Sequence, residues 1–190
     1  MAKRAVETPP EFLRRDARQE KGDDAALVEL LLETHRVTGT VDQTGPQRRL
    51  VDLLNTTEGP MLTMRDATVV SLADPNEGPL RCQVLQVRRQ SVLVAVPATV
   101  AAPRGGGLEA VKKRPAAATI FLPGIEVTGQ IYLAPGAEPG AVPLLGRRDF
   151  LPVTDAVVTQ SVHTIVRWEQ PLVVVNLDRA VLYAPGLVKS

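Results

Sequence analysis

The chain has 190 residues, of which 44% are hydrophobic and only 3% aromatic, and its 22 Lys and Arg nearly balance its 21 Asp and Glu. That apolar content excludes a wholly disordered chain, and a set dominated by Val, Leu and Ala suits strands packed through branched aliphatics. Few aromatics leave no stacking platform for single-stranded nucleic acid, and a net charge of +1 gives no global field to draw in nucleic acid or an anionic membrane.

In chain order, residues 1–23 mix both charge signs with few large apolar groups and read as a flexible charged arm. Asp23-Asp24 then precedes Ala25–Glu33, where Leu27, Leu30 and Leu31 share one helical face and Glu29 and Glu33 turn away. The acidic pair caps a helix and complements its positive end, so this segment predicts one short N-terminal helix that closes an open end of the fold. Val37–Val41 predicts a strand, and Arg48–Asn55 a helical turn with Leu50, Leu53 and Leu54 on one side. Met61–Leu72 returns to strand, and Cys82–Ala102 predicts a hairpin turning at Arg88-Arg89-Gln90. Pro103–Thr119, with Gly105-Gly106-Gly107, Lys112-Lys113-Arg114 and a run of alanines, reads as a linker with one helical turn over Leu108–Lys113. Residues 24–102 thus form a helix plus a first β unit, and 120–190 a second β unit.

The second half replays the first. Val37-Thr38-Gly39 recurs as Val127-Thr128-Gly129, and Met61–Val69 as Phe150–Val158, at nearly equal offsets. The helical turn does not recur, because Pro139–Gly146 stands in its place and proline resists a regular helix. Gly39 and Gly129 fall mid-strand, where glycine marks a bulge, a bend or a close backbone approach. Asp66 and Asp155, each followed by Ala, interrupt apolar runs. A short carboxylate there accepts nearby backbone N–H groups, and the small Ala admits a neighbouring element. The functional alternative makes the two aspartates equivalent ligand-binding carboxylates, but no acid, His or Cys accompanies either.

Val37-Thr38-Gly39, Arg49-Leu50-Val51-Asp52-Leu53-Leu54-Asn55 and Phe150–Ala156 resemble the motifs of an uncharacterised family of small bacterial β proteins. That family carries a V-x-G strand, an R-L-S-D-x-L-N turn and an F-x-x-L-T-D-A strand; Val51 stands here in place of the serine, and the second copy lacks the middle motif. The resemblance implies a β fold, here in two copies, and brings no activity with it.

The chemistry-bearing residues are few. His35 and His163 lack the companions of a zinc site, and Cys82, in an alternating apolar segment, reads as a small core residue. No Gly-Lys-Ser/Thr follows the glycine run, so it is no phosphate loop. Arg48-Arg49, Arg88-Arg89 and Arg147-Arg148 are candidate partner or phosphate contacts whose plainer reading is solvated turn charge. Trp168, the one tryptophan, is either a partner anchor or a cover over one end of a core. The lone cysteine fits a reducing compartment. The N-terminal stretch has no signal-peptide character and no apolar run spans a bilayer, so the expected location is the cytoplasm.

These readings combine into a mainly β chain: two tandem small curved-sheet or partly open barrel units of about five strands, related by a pseudo-twofold. The expected role is non-enzymatic, with no cofactor: a protein-interaction, scaffold or assembly module acting through sheet edges or apolar faces, on a protein partner or on itself. A nucleic-acid module using the arginine doublets, and a small-ligand binder or enzyme with a cleft between the units, are the alternatives.

Overall fold

Segments rich in Val, Ile, Leu and Thr form ten strands in a computed structural model, which describes residues 25–42, 49–56, 59–74, 76–98, 113–144, 149–161 and 165–186. The strands of the first half are β1 (Ala25–Leu31), β2 (His35–Asp42), β3 (Met61–Ser71), β4 (Leu80–Arg88) and β5 (Val94–Pro97). Those of the second half are β6 (Arg114–Leu122), β7 (Ile125–Leu133), β8 (Phe150–Gln160), β9 (Val166–Asn176) and β10 (Leu182–Pro185). One short helix, α1 (Leu50–Leu54), lies within the predicted helical turn, and 3₁₀ turns occupy Arg89–Ser91, Pro139–Leu144 and Leu177–Arg179.

The ten strands make one antiparallel sheet in the order β10-β6-β7-β8-β9-β5-β1-β2-β3-β4, with β10 and β4 at its two ends. The two expected units are therefore not separate sheets; they share one. Within it the first five strands run β5-β1-β2-β3-β4 and the second five run β10-β6-β7-β8-β9, which is the same order. The tight connections match as well. Leu72 N–H bonds the Thr34 carbonyl as Ser161 N–H bonds that of Gly124, and Arg89 N–H bonds Pro60 as Leu177 N–H bonds Asp149.

Three sequence expectations fail here. The segment predicted as an N-terminal helix is β1, paired along its length with β2 and, from Val28 to Leu31, with β5. No helix closes an end of the fold there, and His35 opens β2 instead of ending a helix. The Cys82–Ala102 hairpin does not form: β4 pairs with β3 at the rim of the sheet, while β5 crosses to lie between β1 and β9. The linker ends early, because Arg114–Leu122 is already β6, with Ala118 opposite Gly129. The arm, the helical turn over Leu108–Lys113 and most of the linker lie outside the described residues.

The repeated glycines and aspartates sit together. Thr38 pairs with Thr68 and Thr40 with Arg65, so Asp66 and Ala67 of β3 oppose the single residue Gly39 of β2. Likewise Thr128 pairs with Val157 and Gln130 with Thr154, leaving Asp155 and Ala156 opposite Gly129. Each is a β-bulge, with the extra residue, Asp66 or Asp155, in the left-handed region at φ 48°. Asp tolerates that backbone better than most residues. The bulge presses the two backbones together: a Cβ on Gly39 would come 2.9 Å from the Arg65 carbonyl oxygen, and one on Gly129 would come 2.7 Å from that of Thr154. Ala67 and Ala156 are buried beside them.

Two apolar clusters form the core. Val28, Leu30, Val37, Val41, Leu62, Met64 and Val87 build one with α1, and β6, β7, β8 and β9 supply most of the other. Gly39→Ala and Gly129→Ala are each expected to destabilise the protein by about 1–3 kcal/mol, through overpacking against rigid backbone. Asp66→Gly is expected to cost nothing, whereas Asp66→Val costs about 1–2 kcal/mol for the left-handed backbone. Urea denaturation midpoints of the four variants measure these differences.

Candidate interaction edges

Each half has two edge strands, β5 and β4 in the first and β10 and β9 in the second, and one edge of each half meets the other half. Between the halves, this edge is satisfied: β5 pairs with β9 through Val94 opposite Val175 and Ala95 opposite Val174. Asn176 N–H donates to the Leu93 carbonyl at 2.9 Å, and the buried Asn176 side-chain amide donates to the Val92 carbonyl at 2.9 Å. At the flank of this seam, Asn55, just after α1, holds β8 by a reciprocal pair of bonds. Its Nδ2 donates to the Phe150 carbonyl at 2.9 Å and its Oδ1 accepts from Phe150 N–H at 3.0 Å. An exposed ion pair, Arg179 with Glu33 at 3.2 Å, also crosses the seam.

The seam is buried on both faces, because neighbouring residues on its strands enter different cores. Val94, Val96, Leu31 and Leu93 from the first half join the cluster of the second, and Phe150 and Val174 from the second join the cluster of the first. The two halves interlock by exchanging apolar side chains.

Among the described residues, no strand covers the outer edges in this way. Pairing of β4 with β3, together with the Arg89 N–H bond to the Pro60 carbonyl, fixes which backbone groups of β4 face inward. By the alternation of an antiparallel ladder, the N–H and C=O of Gln86 and Arg88 point away from the sheet. On β10 the same reasoning, anchored by Gly186 N–H on the Ala117 carbonyl, turns Tyr183 outward. Exposed large apolar side chains lie along these rims, Leu80 and Val84 at one end and Val181 and Leu182 at the other, with Met61 on the neighbouring β3. An open antiparallel edge of this kind can accept a further strand through backbone hydrogen bonds.

Beside β4 lies an apolar groove of about 260 Å³ lined by Val37, Val69, Leu85 and Val87, with Arg88 and the exposed His35 at its margin. A second depression is lined by Asp155–Val157 of β8 and Glu169–Pro171 of β9. Asp66 takes no part in it: β9, β5, β1 and β2 separate β8 from β3 in the sheet. Both aspartates are exposed. Among the described residues no three His, Cys, Asp or Glu side chains gather where a metal could bind, and no helix is long and apolar enough to cross a membrane.

The other residues singled out in the sequence are dispersed. Trp168 is buried in the second cluster, opposite Val158, so it fills core and presents no anchor at the surface. Arg88 is exposed on the β4 rim, whereas the Arg89 guanidinium donates to the Thr56 carbonyl and is spent on a turn. Arg49 is exposed at the start of α1; Arg48, Arg147, Arg148 and His163 lie outside the described residues. Cys82 is a half-buried free thiol on β4 opposite Ala67.

Sequence reasoning passed over Glu29, which was assigned to the polar side of a helix. It is a buried carboxyl on β1, opposite Thr38 and Val96, with the Arg36 guanidinium 3.5 Å away. Burial pushes its pKa up to about 7, and Arg36 only partly opposes that rise. The unfolded chain ionises this group from about pH 4.5 while the folded chain keeps the proton, so stability falls as pH rises from about 4.5 to about 7. The Glu29→Gln variant lacks this slope. Relative to wild type it is expected to gain about 3 kcal/mol between pH 4 and pH 8, read from denaturation midpoints at the two pH values.

No protein-family model, curated protein or solved structure matches this chain.

Proposed function

We propose that the chain is a non-enzymatic interaction module, made by duplication of one five-stranded unit, whose open sheet edges take up a strand from a protein partner. One observation carries the reading: the β5–β9 seam seals one pair of strand edges, while the matching edges on β4 and β10 are paired with no further strand among the described residues and have apolar side chains along them. Strand addition uses backbone groups for affinity and flanking pockets for selectivity. The β4 rim has both, in the outward groups of Gln86 and Arg88 and the apolar groove beside them. The sequence repeat, the common strand order and the paired bulges support descent of both halves from one unit.

Gln86→Pro tests the reading, because proline removes an outward N–H and is tolerated on edge strands. The tagged full-length chain is purified under mild conditions from its native cells, as wild type and as the variant. Chains that stay with wild type are expected to fall about tenfold or more with the variant, at unchanged melting temperature. Equal recovery by both proteins overturns the proposal.

A further inference from the structure

We infer that the partner strand comes from a second copy of this chain: β10 of one copy docks on β4 of the next, repeating the β5–β9 seam between molecules. This rests on reading the edges as interaction sites and adds the identity of the occupant. In the common strand order, β4 occupies the place of β9 and β10 that of β5. The two open rims are therefore the two complementary sides of a contact that the chain already makes internally. Each copy carries one of each side.

The side chains tell the same story. The β4 groove is lined by Val37, Val69, Leu85 and Val87, and their counterparts in the second half are Val127, Val158, Val173 and Val175. Those four are buried in one cluster with Leu31, Leu93, Val94 and Val96, which reach it across the seam. The place left as a groove in the first half is thus filled in the second. The counterparts of Leu93 and Val94 are Val181 and Leu182, which are 67% and 61% exposed, whereas Leu93 and Val94 are fully buried. Met61 is 41% exposed, and its counterpart Phe150 is 3% exposed beneath α1. Among the described residues, Val181, Leu182 and Met61 stand exposed where their counterparts, beside a neighbouring half, are buried.

The internal seam also fixes the register. Val94 opposite Val175 becomes Leu182 of one copy opposite Val87 of the next, and Ala95 opposite Val174 becomes Tyr183 opposite Gln86. The bond from Asn176 N–H to the Leu93 carbonyl becomes one from Arg88 N–H to the Val181 carbonyl. Such a contact is heterologous, so it builds a ring or a filament and not an isologous dimer.

Light scattering on the purified full-length chain, at tens of micromolar, is expected to give a mass of at least two copies of 20.4 kDa. Gln86→Pro disables only the β4 side and Leu182→Asp only the β10 side, so each variant alone is expected to be a monomer. An equimolar mixture of the two retains one working junction and is expected to give a one-to-one dimer and nothing larger. If either variant misfolds, cysteines report the register directly. With Cys82→Ser, the pair Val87→Cys and Leu182→Cys is expected to yield a disulfide-linked ladder on mild oxidation. A monomeric wild type, an assembly untouched by either edge variant, or absence of the ladder overturns the inference. A monomeric wild type whose other partners are still lost on Gln86→Pro leaves the interaction reading standing; retention of those partners removes that reading.

Discussion

The pairing of β5 with β9 is the contact around which the rest of the molecule is arranged. It is short, with two residue pairs in register, yet among the described residues it alone makes the two halves one sheet. Backbone bonds alone would not hold so brief a ladder against the entropy of ordering it. What secures it is apolar exchange: Val94 and Val175 face one core, while Ala95 and Val174 face the other. Asn176 adds a polar lock at one end of the seam, its amide satisfying the Val92 carbonyl and its oxygen accepting from Asp178 N–H.

That same double burial explains where the sequence misled. A strand with one wet face alternates, but a strand at the seam has both faces in a core and reads as a continuous apolar run. Val28–Leu31 within Ala25–Glu33 is buried on both faces, and with Glu29 and Glu33 four apart the segment satisfies a helical template as well as a strand. Leu30 and Leu31 are both fully buried because they enter different clusters. Nothing local to those residues reveals that. Glu29, polar and four residues from another acid, looks solvated until β5 is laid beside it.

The bulges were legible for the opposite reason: they are local constraints that admit few residue types. A left-handed residue favours Asp, Asn or Gly, and a partner pressed within contact of a carbonyl admits only Gly. Those demands left Gly39, Gly129, Asp66 and Asp155 as readable marks. The open edges left no mark of that sort. Leu80 and Val84 carry the same kinds of side chain as the core, and only strand order shows that both stand exposed at an edge. Sequence adjacency misled again at β4 and β5, consecutive in the chain but placed on opposite flanks of the first five strands.

The exchange of side chains across the seam has a bearing on how the protein comes into being. As the chain emerges during synthesis, Val94 and Leu31 leave the ribosome long before Val175 exists to receive them, so the amino-terminal half cannot complete its burial on its own. Long-range pairing of this kind slows folding and leaves sticky surface waiting. The two halves are accordingly expected to unfold together as one cooperative unit.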